Sequence, residues 1–347
     1  MSIEWSNETL RQAKGARADA YAAGISGDDD RAWRYNERIR KTSKFLGMAR
    51  NMTAAWWMRG AVCQSHLRSS GRCGSGCFRA GTALYAEQPI ATTGTGGRVI
   101  MKKLEGQHGI ITGGGAGIGR AIALRFAQEG AKIAVADVNM ENASITCREI
   151  AAAGGQAMAI YCDVSDQACV EKMVEQARES YGPVDILVNN AGGAIVGGAG
   201  QTFGNYTRDF IDKMIGINLM GAIYGAHAVA NEMRERRRGR IINLSSIAGI
   251  NGSRSNILYG ASKGAIIAFT KSLAMDMGPY GVTVNAIAPG AIASRQGPAS
   301  LATWLGHPGK CEDIAALALF IASEEGSFMT GETVVMDGGR NCGNLGE

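Results

Sequence analysis

Residues 110–119 read Ile-Ile-Thr-Gly-Gly-Gly-Ala-Gly-Ile-Gly, an apolar run that breaks into a glycine turn. Glycine lacks a Cβ, so the backbone there can turn sharply and approach a ligand closely. The residues that follow, Arg120 to Gly130, have helical apolar spacing and end on glycine. A helix that starts at such a turn presents unpaired N–H groups and partial positive charge, which together seat a pyrophosphate. A second β-rich run, Lys132 to Ala136, ends at Asp137, eighteen positions after Gly119. A carboxylate at that place accepts hydrogen bonds from the hydroxyls of an adenosine ribose and repels a 2′-phosphate. The expectation is a dinucleotide site that prefers NAD to NADP.

Beyond the turn, short β-rich runs alternate with helical ones. Strands are expected at 109–112, 132–136, 156–161, 184–189, 240–246 and 282–289, with a closing strand after Thr330. Helices are expected at 118–129, 141–153, 167–181, 210–236 and 312–322, and another is opened by Tyr259. This alternation means an α/β fold with a doubly wound parallel sheet, covered on both faces. Ligands then bind beyond the carboxyl ends of the strands.

Four further features occur in a fixed order. Asn189-Asn190-Ala191-Gly192 ends the fourth strand, and Ile217-Asn218-Leu219 lies on the expected 210–236 helix. Ser246 ends the fifth strand, and thirteen residues later comes Tyr259-Gly-Ala-Ser-Lys263. Pro289-Gly290 ends the sixth. Together with Thr112-Gly113-x-x-x-Gly117-x-Gly119, these resemble the short-chain dehydrogenase/reductase family over residues 104–340, about two thirds of the chain.

The resemblance implies a Rossmann-like sheet of about seven strands. It implies that Gly113, Gly117, Ile118 and Gly119 seat the pyrophosphate, and that Asp137 takes the ribose. Asp163 and Val164 would meet the adenine, and Asn190 and Ala191 would line the adenosine. Pro289, Gly290, Ile292 and Ser294 would surround the nicotinamide, with Ser294 standing where a Thr is usual. Asn218, Ser246, Tyr259 and Lys263 would be catalytic, with Asn218 holding a water in a proton relay. Ser245 and Ser262 read as structural neighbours.

The chemistry of that set follows from charge. A free tyrosine has a pKa of about 10 and is a poor base at neutrality. A nearby ammonium and an oxidised pyridine ring favour the phenolate. Tyr259 then accepts the proton of a secondary alcohol as hydride leaves its carbon, or protonates the alkoxide in reverse. Ser246 polarises the same oxygen, and Lys263 also holds the ribose of the nicotinamide half. The expected function is therefore an NAD-dependent oxidoreductase of a secondary alcohol or its ketone. NADP-dependent reduction of a 3-oxoacyl thioester is the alternative within the family. A non-catalytic dinucleotide sensor is the alternative of another class, disfavoured because all four catalytic positions are kept.

Composition bounds the rest. With 347 residues, 46% of them apolar, the chain can bury a sizeable core. Residues 1–100 carry 15 Lys and Arg against 8 Asp and Glu, a net +7, whereas residues 101–347 carry 21 against 23, a net −2. The basicity therefore gives no reason to expect nucleic-acid binding by the main domain. Five arginines between Arg234 and Arg240 sit at a helix C-terminus, where cations complement the dipole, and read as a solvated surface. No apolar run reaches the roughly 18 residues of a membrane span. The cysteines have no disulfide spacing in the enzyme-like part, and a reducing cytoplasm is expected.

Residues 1–100 are expected to be a disordered N-terminal extension, or not part of the functional domain; residues 101–347 form a single domain that begins at Met101. Cys63, His66, Cys73 and Cys77 are conceivable zinc ligands, but their spacing is irregular and no metal is expected. The segment from Ala291 to Pro308 is short for a substrate lid in this family, and Arg295 within it is a candidate partner for an anionic substrate group. The resemblance also implies a homodimer or homotetramer.

Overall fold

The computed structural model describes residues 102–194, 202–293 and 303–343, all within the compact unit Gly97–Glu347. Residues 1–101, including the four candidate zinc ligands, lie outside the described residues, as do Ser294 and Arg295.

Seven strands form one sheet in the order β3-β2-β1-β4-β5-β6-β7. They are β1 (His108–Thr112), β2 (Lys132–Asp137), β3 (Gln156–Tyr161), β4 (Ile186–Asn189), β5 (Gly239–Leu244), β6 (Val282–Pro289) and β7 (Thr333–Met336). Every pairing is parallel. The expected doubly wound α/β fold is therefore the one observed. The strand order reverses between β1 and β4, and at such a point the loops beyond the strand ends part and leave a crevice.

Successive strand residues point to opposite faces, so each interior strand must be apolar on both sides. Ile110 and Ile111 show the consequence: both are fully buried, but in different cores. On one face Ile111, Ile133, Val135 and Ile242 pack against helix α1 (Gly117–Gln128), α2 (Met140–Ala152) and the helix from Cys311 to Ala322. On the other, Ile110, Leu187, Ile241 and Val284 pack against α3 (Gln167–Tyr181) and the helix running from Gly221 to Arg236. Fully burying one such Ile or Met contributes about 1.5–3 kcal/mol, so the two layers together dominate the driving force.

The helix expected over 210–236 is observed as three segments. Helix α4 (Arg208–Ile215) passes into a π turn, Gly216–Met220, and continues as α5 (Gly221–Arg236). The wider π turn carries Asn218 and buries it. Among the described residues two more α-helices follow, α6 (Ala248–Asn251) and α7 (Ile257–Met277), and the Cys311–Ala322 helix is α8. Among the described residues no helix is long and apolar enough to cross a membrane.

Candidate active site

The carboxyl ends of β1, β4, β5 and β6 open into a cleft of about 440 Å³. Its floor begins with the glycine turn. Gly113 and Gly117 take φ of 63° and 55°, which side chains rarely adopt. A Cβ on Gly119 would stand 2.2 Å from the Gly113 carbonyl oxygen and 2.4 Å from Asn190 Nδ2. Gly119 therefore lets α1 seat directly against the turn, behind the cleft wall. Gly113, Gly117 and Ile118 face the cleft itself. The bare backbone at the N-terminus of α1 leaves room for, and partial charge complementary to, a pyrophosphate.

Thr112 ties this turn to the end of β4, seventy-eight positions on. Its Oγ1 donates to the Val188 carbonyl and accepts the Asn190 and Ala191 amides at 3.0 and 3.1 Å. Asn190 Nδ2 donates back to the carbonyls of Thr112 and Gly113. Asn190 and Ala191 do line the cleft, but the Asn190 amide is spent as a brace. Asn189 lies deeper and donates to Asn243 Oδ1 at 2.9 Å; Asn243 in turn donates to Thr270 on α7. Thr112 stood in the motif read from the sequence, yet its bracing role had no local signal.

Asp137 sits at the end of β2. Its Oδ2 accepts the Gly115 amide and its Oδ1 the Asn139 amide, both at 2.9 Å. A carboxylate offers about four acceptor sites, so ribose hydroxyls can still be accepted. Asp163 Oδ1 takes both the amide and the hydroxyl of Ser165. Val164 is buried where a Cβ on Gly221 would meet it at 2.8 Å. Asp137, Asp163 and Val164 are not among the residues that line the cleft holding Ser246, Tyr259 and Lys263.

Ser246, Tyr259 and Lys263 line the same cleft as the glycine turn, opposite Pro289, Gly290 and Ile292. Tyr259 and Lys263 lie one turn apart on α7, and the Lys263 ammonium nitrogen is 5.8 Å from the centre of the tyrosine ring. Lys263 Nζ donates to the Leu244 carbonyl at 2.7 Å, which leaves two N–H groups. Burial pushes its pKa down from 10.5 to about 8. Ser246 Oγ accepts the Ala248 amide at 3.1 Å and keeps its own proton to donate. Ser245 donates to the Lys263 carbonyl and Ser262 to the Tyr259 carbonyl, each at 2.8 Å.

Asn218 reaches toward this group from the π turn. Its Oδ1 accepts the Gly193 amide at 2.8 Å, and its Nδ2 donates to the Gly193 and Met214 carbonyls. Gly192 separates it from the lysine: a Cβ there would lie 2.6 Å from Asn218 Oδ1 and 3.4 Å from Lys263 Nζ. Gly192 was not singled out from the sequence, although its place in Asn-Asn-Ala-Gly was the available signal.

Comparisons with known proteins place the chain in a family. A family model described as "Enoyl-(Acyl carrier protein) reductase" matches residues 113–341. Short-chain reductase protein NovJ of Streptomyces niveus is 39% identical over 256 residues, covering 67% of this chain and 92% of that protein. Sorbitol dehydrogenase of Cereibacter sphaeroides is 35% identical, covering 68% and 98%. The 3-oxoacyl-[acyl-carrier-protein] reductase FabG of Thermotoga maritima is 34% identical with the same coverage. A crystal structure of a short-chain type dehydrogenase/reductase from Mycobacterium marinum superposes with a TM-score of 0.65 at 31% identity, covering 70% of this chain and 98% of that one. With the sheet order, the glycine cradle and these matches in hand, the chain belongs to the short-chain dehydrogenase/reductase family of NAD(P)-dependent oxidoreductases.

Proposed function

We propose that this protein is an NAD-dependent alcohol dehydrogenase or ketone reductase with Tyr259 as its general acid and base. The observation that carries the reading is the convergence of Ser246, Tyr259 and Lys263 on the cleft floored by the glycine turn. When bound, the nicotinamide accepts or donates the hydride. Tyr259 holds or releases the proton at its phenolic oxygen. The Lys263 ammonium favours the phenolate, and its two uncommitted N–H groups suit the ribose and the proton path. Ser246 donates to the substrate oxygen and stabilises the charge that develops there. Both N–H groups of Asn218 are spent on carbonyls, so its share in a water relay runs through the second lone pair of Oδ1.

The choice of NAD rests on Asp137, whose carboxylate would face a 2′-phosphate. The second reading, NADP-dependent reduction of a 3-oxoacyl thioester, is favoured by the name of the Thermotoga maritima relative. One experiment separates them: secondary alcohols and 3-oxoacyl thioesters are assayed with both cofactors, beside Tyr259→Phe. We expect higher kcat/KM with NAD⁺, and a loss of about 10²- to 10⁴-fold in the Phe variant. Preference for NADP⁺ would overturn the Asp137 argument, and an active Phe variant the acid–base assignment.

Three wider assignments belong to the same reading. Residues 101–347 are the whole functional domain, with residues 1–100 dispensable. The working form is a homodimer or homotetramer; Phe320 of α8, the fully exposed Phe328 and Val335 of β7 are apolar side chains suited to burial between copies. The compartment is the cytoplasm, which suits the free thiols of Cys147, Cys162, Cys169, Cys311 and Cys342.

A further inference from the structure

A second cavity, of about 360 Å³, shares Ser246 and Gly290 with the cofactor cleft. The catalytic serine thus stands between the two spaces, and the second is where the carbon skeleton of a substrate held by Ser246 has room to lie. Its wall is neutral, with Asn251 and Ser253 among its polar groups, apart from one charged side chain, Arg340.

The turn that carries Arg340 is built rather than loose. Gly338 and Gly339 take φ of 64° and 83°. Asp337 Oδ1 accepts the Gly339 amide and Oδ2 the Asn341 amide, both at 2.8 Å. Asn251 Nδ2, on α6, donates to Asn341 Oδ1 and ties the turn to the opposite wall. The nearest acid in sequence, Asp337, is turned to the backbone amides of its own turn and forms no ion pair with Arg340. Many arginines of the domain are matched with carboxylates, as in Arg120–Glu149, Arg178–Glu232 and Arg234–Asp276, whereas Arg340 shares with Arg148 and Arg254 the lack of a carboxylate partner among the described residues and differs from them in lining this cavity. Among the described residues nothing takes the Arg340 guanidinium. A guanidinium offers five N–H donors in a planar fork shaped for a carboxylate or phosphate.

We propose that Arg340 is a substrate-binding residue that selects alcohols and ketones bearing a compact oxyanion, a carboxylate or phosphate, a short chain away from the reacting carbon. The proposal rests on the reading of Ser246 and Tyr259 given above. It is tested with matched substrates: 3-hydroxybutyrate, its methyl ester, and a hydroxyalkyl phosphate of similar length, each with saturating NAD⁺. The parent should prefer the anions. Arg340→Gln should lose about ten- to a hundred-fold in kcat/KM on them, mostly through KM, and leave the ester unchanged; Arg340→Lys should recover part of the loss. The relative loss on carboxylate and phosphate identifies the oxyanion. Calorimetric binding of the same compounds to the NAD-saturated protein supplies an equilibrium readout independent of turnover. Equal affinity for acid and ester in the parent, or equal losses on both in Arg340→Gln, overturns the proposal. Tyr259→Phe run alongside keeps the two readings apart: it lowers turnover of every substrate by the same large factor while leaving the anion preference in binding intact.

Discussion

Lys263 is where burial and the proposed function pull against each other. An ammonium taken out of water with one carbonyl partner costs the fold, and its lowered pKa records that cost. Between about 8 and 10.5 the unfolded chain holds a proton that the folded chain has released. Stability therefore rises with pH through this window, and below it the full cost of the buried charge is present. Lys263→Met keeps the volume and removes the charge. Its thermal unfolding midpoint relative to the parent should be highest near about pH 7 and fall as pH approaches about 10. The same variant should lose about 10²-fold or more in turnover. An offset in stability that does not change with pH would show that the lysine is not paying a desolvation cost.

Among the elements, the glycine turn and the π turn do most to place the chemistry. The glycine turn can sit against β4 only because Gly119 has no side chain. In Gly119→Ala the new methyl must displace either the Gly113 carbonyl or the Asn190 brace. Overpacking of this kind costs about 1–3 kcal/mol. The moved turn should also weaken NAD binding at least tenfold in equilibrium titration; unchanged affinity would mean that the cofactor does not rest on this turn. The π turn serves a different residue. Asn218, which lies within it, donates from Nδ2 to the Met214 and Gly193 carbonyls together. Such bulges recur where a helix must aim a residue into a site.

At the scale of the whole molecule, the described fold has its own two cores and a complete sheet between Lys102 and Gly343. A chain starting at Met101 should therefore fold, keep kcat/KM within about twofold, and show the same mass in solution as the full chain by light scattering. Loss of activity or of assembly would assign a role to residues 1–100. The charge is divided in the same place: residues 101–347 have a net charge of −2, and residues 1–100 a net charge of +7.

The fold was legible in the sequence because its signals are local. Apolar runs bounded by turns, helical spacing after glycine, and the order of Ser246, Tyr259 and Lys263 all act over a few residues. Seven parallel strands then follow from what such alternation can bury. What the sequence could not determine is which polar groups face the cleft and which hold it open. Thr112 and Asn190 meet across seventy-eight positions, Asn218 on the π turn meets Gly193, and Arg340, after the last strand, lines a cavity that Ser246 also lines. Those pairings depend on the register of distant strands and on the room left by single glycines. Only the tertiary structure decides them, because a hydrogen bond or an unpaired charge acts over a few ångströms of space, whatever the distance along the chain.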